Sequence, residues 1–136
     1  MMVLDHIGVA VASLERRLAL YRALGLEVAA VEEVRSEKVR VAFLPVEGTS
    51  IELLEPTGPE SPVAAFIAKR GEGMHHICFE SDDVDAELEG ARQKGIELID
   101  QKPRLGLAGM ICFLHPKSNH GVLVEFATPL SEGQGH

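Results

Sequence analysis

Four side chains that can bind a metal ion or transfer a proton stand at matching places in the two halves of the sequence. They are two histidines and two glutamates, namely His6, Glu52, His76 and Glu125. Imidazole nitrogens and carboxylate oxygens together suit a divalent transition metal that keeps positions open for a substrate. These side chains can act together only if the fold brings them together, so the elements that carry them decide what they mean.

An internal duplication accounts for the spacing of these residues. With an offset of 70 residues (from 6 to 76), "LDHIGVAV" aligns with "MHHICFES", and Gly25 aligns with Gly95. Near the end of each copy the offset becomes 73 residues (from 52 to 125), and "IELLEP" aligns with "VEFATP". The second copy therefore carries three extra residues, in "HPKSNHG". Because the alignment holds over most of the chain, we predict two copies of one structural unit.

The first copy predicts the order strand, helix and three further strands, which is βαβββ. Apolar residues alternate in "IGVAV", the two-residue period of a strand. Ser13 can cap a helix that ends at Gly25. Three strands are predicted to follow, at about 27–34, 38–45 and 50–55.

The second copy predicts the same order. Its helix begins at a cap formed by Asp82 or Asp83 and ends at Gly95. Its later strands are predicted at about 97–102, 109–115 and 121–127. Between the copies, Ser61 as a helix cap, Pro62 in the first turn and Gly71 at the end predict a short connecting helix.

These elements predict a single domain over residues 1–130, since a chain of 136 residues has the size of one ordinary domain. The domain comprises module one at about 3–57, the connecting helix at about 61–71 and module two at about 73–129. Residues 131–136 are predicted to be a flexible tail.

The two-residue period of the strands predicts which way the four residues face. His6 points away from the apolar face of its strand, and Glu52 lies between two apolar neighbours of its own strand. His76 and Glu125 repeat this pattern in the second copy. A lone carboxylate in such an apolar setting would be costly. A two-fold arrangement of the modules would bring all four side chains together, which favours a metal site. His75 has the opposite phase from His76, and its partner in the repeat is Asp5, so a structural or supporting role is predicted.

Composition excludes several classes of protein. A net charge of −8, an aromatic content of 4% and no Trp argue against a nucleic-acid surface. No apolar run is long enough to span a membrane, and the first residues lack the pattern of a signal peptide. Cys78 and Cys112 lie in apolar runs, which predicts reduced core thiols and a cytoplasmic protein. The remaining histidines, His115, His120 and His136, are predicted to be solvated.

Several stretches of the chain resemble the vicinal oxygen chelate superfamily, and within it the methylmalonyl-CoA epimerase (methylmalonyl-CoA racemase) family. They are "LDHIGVAV", "IELLEP", "SPVAAFIAKRGEGMHHICFE", "KPRLGLAGMICFLHPKS" and "GVLVE", and they extend to about Thr128. The resemblance implies an α+β fold in which two tandem βαβββ modules form a cupped, eight-stranded mixed sheet with helices outside. It also implies a homodimer.

The resemblance implies a metal held by His6, His76 and Glu125, with Co²⁺ favoured and Mn²⁺, Ni²⁺ or Zn²⁺ as alternatives. The remaining ligand is Gln in some relatives, and Glu52 takes that position here. The implied reaction interconverts (2R)- and (2S)-methylmalonyl-CoA by removing and returning the C2 proton through a metal-stabilised enolate.

Two acid/base groups are needed for this reaction, one on each face of the planar intermediate. Glu125 is predicted as one of them. For the other, relatives use a Glu on a middle strand of the first module, and alignment on "FLP" places Arg40 there, on the expected cavity face beside Ala42. Glu52 is therefore the predicted substitute, with a role as a metal ligand only as the alternative. Arg40 either pairs with the substrate carboxylate or is solvated.

A CoA ester would also bring phosphate groups to this acidic protein. Candidate counter-charges are Lys69, Arg70, Lys102, Arg104 and Lys117. The "GLAG" loop, from Gly106 to Gly109, is predicted to approach the acyl end through its backbone. Surface Lys and Arg are usually solvated and glycines often mark only a turn, which is the competing interpretation.

Three other functions fit parts of the pattern. A glyoxalase I-like lyase acting on a hemithioacetal can use His, Glu, His and Glu as ligands, but such enzymes typically have "DP(D/N)G" where this chain has "HPKSNHG". Metal-free binding proteins of the same fold do not need the repeated His and Glu. Extradiol dioxygenases usually have two His and one Glu in longer chains.

Overall fold

The computed structural model of the protein describes residues 2–106 and 109–129. The chain forms two compact units, one within His6–His75 and the other within Met1–Asp5 and His76–His136. Within the described ranges there are eight strands and three α-helices, with both parallel and antiparallel strand pairs. The α+β class and the two βαβββ modules predicted from the sequence are confirmed. The predicted tail at 131–136 lies outside the described residues.

The first unit contains a four-stranded sheet with one parallel pair. Strand β1 runs parallel to β4, and β3 lies antiparallel between β4 and β2. This arrangement is the one expected for a strand and helix followed by a meander of three strands. The elements are β1 (Val3–Ala10), α1 (Leu14–Ala23), β2 (Ala30–Val34), β3 (Val39–Val46), β4 (Thr49–Pro56) and α2 (Pro62–Arg70).

Helix α1 begins with two side-chain caps rather than one. The Ser13 hydroxyl accepts a hydrogen bond from the backbone N–H of Arg16 at 3.3 Å, as predicted. The Glu55 carboxylate of β4 accepts a second bond from the N–H of Leu14 at 2.9 Å. Since the first N–H groups of a helix have no partner within it, these acceptors fix where α1 starts and tie it to the sheet.

The two helices of the first unit pack on opposite faces of its sheet. Helix α1 covers the core formed by Val11, Leu14, Leu18, Ala42, Leu44 and Leu53. Helix α2 covers the other face through Val63, which packs with Ala10, Val39, Val41 and Leu54. His6 lies on this second face, four residues before Ala10, so α2 contacts the last residue of the strand that carries the histidine.

The second unit repeats this plan. Strand β5 runs parallel to β8, and β7 lies antiparallel between β8 and β6. Asp83 is the cap of α3, because its carboxylate accepts the N–H of Ala86 at 3.1 Å. The core under α3 contains Cys112, Leu114 and Phe126. The elements are β5 (Gly73–Glu80), α3 (Val84–Gln93), β6 (Arg104–Leu105), β7 (Gly109–Leu114) and β8 (Leu123–Pro129).

The strand predicted at 97–102 is wrong. That segment makes only one isolated bridge, from Leu98 to Leu114, and the short strand β6 comes later, at Arg104–Leu105. The Asp100 side chain explains the difference, since its carboxylate accepts the N–H of Phe113 at 2.8 Å. A backbone carbonyl of a neighbouring strand would normally accept that bond, so a side chain has replaced part of the ladder.

The start of α2 gives a test of how the connecting helix is held. Ser61 is 1% exposed; its hydroxyl donates to the carbonyl of Glu37 at 3.2 Å and accepts the N–H of Val63 at 3.2 Å. Ser61→Ala removes both bonds in a buried place, so we expect the free energy of unfolding to fall by about 2 kcal/mol. Urea denaturation followed by circular dichroism measures this change.

Ser13→Ala is the matched comparison, because it removes one cap bond in an exposed place. We expect a smaller loss of about 0.5–1 kcal/mol, since the Glu55 carboxylate still holds the start of α1. A loss at Ser61 no larger than that at Ser13 would contradict the role assigned to the buried hydroxyl.

Candidate metal and proton-transfer site

In the first unit the structure brings the predicted histidine and glutamate together. The Nδ1 atom of His6 lies 3.2 Å from Oε2 of Glu52, and the two side chains are only 10% and 14% exposed. Glu52 is in register with Gly8 of the neighbouring parallel strand. Because glycine has no side chain, nothing from that position stands between the glutamate and His6, which lies two residues away on the same face.

In the second unit the other predicted pair is also formed. The Nε2 atom of His76 lies 3.6 Å from Oε1 of Glu125, with side-chain exposures of 9% and 10%. Here Glu125 is in register with Cys78, again a small residue, two positions after the histidine. Each module thus presents one buried imidazole beside one carboxylate, as the repeat predicted; Glu125 is buried and Glu52 is partly buried.

Each glutamate also has a phenylalanine as its antiparallel neighbour, which the sequence reasoning did not single out. Phe43 of β3 is in register with Glu52, and Phe113 of β7 is in register with Glu125. An apolar ring beside a carboxylate limits water there, and charge interactions are stronger where water is excluded. The matching "FL" pairs of the two copies were the sequence signal for this shared environment.

The residues present fit a divalent metal ion. His6, His76 and Glu125 are buried, and each offers an imidazole nitrogen or a carboxylate oxygen as a ligand atom. Mixed imidazole and carboxylate ligands suit Zn, Ni, Mn or Co, whereas a Ca or Mg site would be expected to have oxygen ligands only.

The prediction that Arg40 lies on the same face as the glutamate is wrong. Arg40 is in register with Glu55 on β4, and its guanidinium lies 3.2 Å from the Glu55 carboxylate. Its alternate neighbour Ala42 packs under α1. On the Glu52 face, β3 instead presents Val41 and Phe43, so this strand carries no acid or base there. The register of β3 against β4 decides the face, and the sequence did not provide it.

His75 has a different environment from His76. Its ring meets the ring of Phe66 on α2 edge to face, with 4.9 Å between the centroids. Burial lowers the pKa of His75 below its usual value, which keeps the ring uncharged near neutral pH. The packing role predicted for His75 agrees with this position.

Among the other predicted substrate contacts, Lys69 and Arg70 are exposed in the last turn of α2 in the first unit, and the rest lie in the second unit. Lys102 is exposed, and Lys117 lies in a short turn with its amine 4.0 Å from Glu97. Arg104 is bonded to Asp100 at 3.2 Å and stacks over Phe113. Residues 107 and 108 of the predicted "GLAG" loop lie outside the described residues, as does His136.

The glycines that flank this loop are described. The N–H of Gly106 donates to the carbonyl of Gly109 at 2.7 Å, which closes the turn between β6 and β7. A Cβ atom at Gly106 would lie 2.7 Å from a side-chain carbon of Ile111, so close approach requires a glycine there.

The cysteines are buried and free, as predicted. Burial is the main cause that raises the pKa of the Cys112 thiol to about 11, so it stays protonated and is a poor nucleophile. None of the α-helices in the described ranges is long and apolar enough to cross a lipid bilayer.

Comparison with known proteins places these features in a family. Residues 5–114 match the model of the glyoxalase/bleomycin resistance protein/dioxygenase superfamily. The ethylmalonyl-CoA/methylmalonyl-CoA epimerase of Cereibacter sphaeroides is 40% identical over 90% of this chain and 94% of that protein. The human mitochondrial methylmalonyl-CoA epimerase is 38% identical over 90% of this chain and 71% of that protein.

Solved structures agree with the sequence relatives. A methylmalonyl-CoA epimerase in complex with methylmalonyl-CoA and NH4+ superposes with a TM-score of 0.86 and 41% identity, over 96% of each chain. The fold, the repeated His and Glu pairs and the relatives agree: the chain belongs to the methylmalonyl-CoA epimerase family of enzymes, within the glyoxalase/bleomycin resistance protein/dioxygenase superfamily.

Proposed function

We propose that the protein is a metal-dependent epimerase that interconverts (2R)- and (2S)-methylmalonyl-CoA. The observation that carries this proposal is the imidazole–carboxylate pair, largely shielded from solvent, that is found once in each module. Epimerisation of an acidic carbon needs an acid/base group for each face of a planar intermediate, and a duplicated pair supplies two equivalent carboxylates. The relatives named for this reaction provide the substrate class.

The metal would be held by His6, Glu52, His76 and Glu125. When bound, a divalent ion such as Co²⁺ supplies charge that stabilises the enolate oxygen of the substrate. The ion accounts for the ligand types, because two carboxylates buried without a cation would be expensive to keep charged. Mn²⁺, Ni²⁺ and Zn²⁺ remain alternatives to Co²⁺.

Glu125 is the proposed acid/base of the second module. Its side chain is buried, and its register partners on the two neighbouring strands are Cys78 and Phe113. Neither partner brings a charge that would interact with the carboxylate during proton transfer. His76, 3.6 Å away, orients the carboxylate.

Glu52 is the proposed acid/base of the first module. Val41 and Phe43 occupy the same face of the adjacent strand β3, so that strand offers no alternative proton carrier. Glu32 of β2 shares this face through its register with Val41, but it is exposed. Glu52 is largely shielded and lies beside His6, so it is the carboxylate proposed to return a proton opposite to the one that Glu125 removes. In this role, one glutamate removes the C2 proton of an epimer, and the other, in its protonated form, delivers a proton to the opposite face of the enolate to form the other epimer. The two glutamates exchange these roles in the reverse direction.

Exchange of the C2 hydrogen in D2O tests the reaction itself. We expect the Co²⁺-loaded protein to exchange that hydrogen and to interconvert the epimers, as followed by proton NMR. No exchange would refute the epimerase proposal. Turnover of the methylglyoxal–glutathione hemithioacetal would instead support a glyoxalase I-like lyase, and binding without turnover would support a metal-free binding protein.

Substitution of the two glutamates tests the two-base assignment. We expect Glu125→Gln and Glu52→Gln each to lower kcat for epimerisation by about 10²–10⁴-fold, because each removes one acid/base. Each variant is expected to retain exchange of one epimer only, the one whose proton the remaining carboxylate removes. Glu47→Gln, in an exposed turn, is the matched control. If Glu52→Gln retains full epimerisation, Glu52 is not an acid/base.

The paired histidines separate metal binding from packing. We expect His76→Ala to lose at least half of the bound metal, and His75→Ala to retain it while lowering the free energy of unfolding, because His75 packs on Phe66. Elemental analysis of metal-loaded protein and thermal denaturation measure the two effects. Metal loss in the His75 variant with retention in the His76 variant would reverse the assignment.

A further inference from the structure

Arg104 lies on the face of the second unit's sheet that carries Glu125. The short strand β6 pairs antiparallel with β7, and Arg104 is in register with Ile111. Ile111 and Phe113 are alternate residues of β7, and Phe113 is in register with Glu125. Register partners and alternate residues share a face, so a cation and the proposed acid/base stand on the same side of one sheet.

The guanidinium of Arg104 is held from two directions. Its Nε donates to Oδ1 of Asp100 at 3.2 Å, and its central carbon lies 5.3 Å from the ring centroid of Phe113. Both distances are within the range of a charge-assisted hydrogen bond and of a cation–π contact. Together these two contacts restrict the orientation of the planar guanidinium. A lysine amine on its flexible side chain has no plane that could be oriented in this way.

Asp100 is itself anchored. Its Oδ2 accepts the backbone N–H of Phe113 at 2.8 Å, so one carboxylate joins the strand to the arginine. The Asp100 side chain is 14% exposed, whereas that of Arg104 is 46% exposed. Asp100 is therefore the less exposed member of the pair and supports Arg104, whose guanidinium is more accessible to solvent.

Gly106, two residues after Arg104, is also tightly packed. Gly106 lies so close to Ile111 that a Cβ atom could not be added without a clash, and its N–H is bonded to the carbonyl of Gly109. This closes the hairpin on β7 immediately after Arg104. A displaced hairpin would break the register that sets the guanidinium above Phe113, so the packing preserves the position of the charge.

We propose that Arg104 binds an anionic group of the acyl-CoA substrate and that Asp100 positions it. The proposal rests on the proposed function. Nε faces Asp100, and within the described residues no second acceptor bonds to the guanidinium, so Nη1 and Nη2 are left to bind a ligand. A guanidinium binds a carboxylate or a phosphate through two parallel hydrogen bonds. Both groups occur in a methylmalonyl thioester of CoA, one on the acyl end and the other on the nucleotide end.

The other basic residues suggested by the sequence lack this arrangement. Arg40 faces α1 and pairs with Glu55. The side chain of Lys117 is 77% exposed, and its amine reaches Glu97 only at 4.0 Å. Among these residues, Arg104 has a fixed orientation and also lies on the face of the second unit's sheet that carries Glu125.

Steady-state kinetics of Arg104→Gln with two substrates test the proposal. We expect KM for methylmalonyl-CoA to rise about tenfold while kcat changes by less than about twofold, because a binding contact is lost without loss of an acid/base. The second substrate is methylmalonyl-pantetheine, which has the acyl carboxylate and no phosphate. A KM increase with both substrates identifies the carboxylate as the ligand, and an increase only with the CoA ester identifies a phosphate.

Arg35→Gln is the control, since it removes one positive charge from an exposed side chain that pairs only loosely with Glu33. An equal rise of KM in this variant would show a general charge effect and overturn the proposal. So would an unchanged KM in Arg104→Gln with both substrates. Failure of the proposed function is distinct, because the wild-type protein would then show no exchange at C2.

A double-mutant cycle tests the positioning role of Asp100. We expect Asp100→Asn to raise KM severalfold in the wild-type background and to add no further increase in the Arg104→Gln background, because it acts through the arginine. Equal effects of Asp100→Asn on KM in both backgrounds would overturn the positioning role. Asp100→Asn also loses the hydrogen bond from the Phe113 N–H, which lowers stability in both backgrounds. Urea denaturation of the same variants measures this loss separately from the change in KM.

Discussion

A carboxylate held in a largely apolar place beside an imidazole is the constraint on which the rest of this fold depends. An isolated buried charge costs several kcal/mol, and removal of its partner leaves that cost uncompensated. The protein accepts this situation twice, at Glu52 and at Glu125. In both places the register partner on the parallel strand is small, and the one on the antiparallel strand is a phenylalanine. The strands therefore bring each glutamate to its histidine while limiting the water around it.

Strand alternation lets the same segments build a core and a site. In β4 the side chain of Leu53 packs under α1, and its neighbour Glu52 points to the opposite face. In β8 the side chain of Phe126 packs under α3, and Glu125 is again its neighbour. The apolar residues fix the strand against its helix, so the polar residue between them has little freedom to change direction. Burial of the core thus supplies the rigidity that the paired groups need.

The local sequence pattern was sufficient to predict features that depend on a single strand or a single helix end. The two-residue period gave the faces of His6 and His76, and cap residues gave the starts of all three helices within the described ranges. Local pattern failed where the pairing between strands determines the position of a residue. The face of Arg40 depends on its register with Glu55, and the missing strand at 97–102 depends on the side chain of Asp100 taking a backbone bond from another strand. Such bonds join residues distant in sequence, and no local period records them.

The failed strand marks the place where the two modules have diverged. Under the offset of 70 residues, Asp100 corresponds to Ala30, which pairs with Phe43 in a regular ladder, and Arg104 corresponds to Val34. Module one uses this segment for a strand of five residues, whereas module two uses it to hold a cation. Two equivalent carboxylates suit a reaction that must run from either face of a carbon. A substrate with one acyl end and one nucleotide end nevertheless has to enter in one orientation. Identical modules would offer no means of selecting that orientation, and a charge present in one module only, as in the proposed role of Arg104, would provide one.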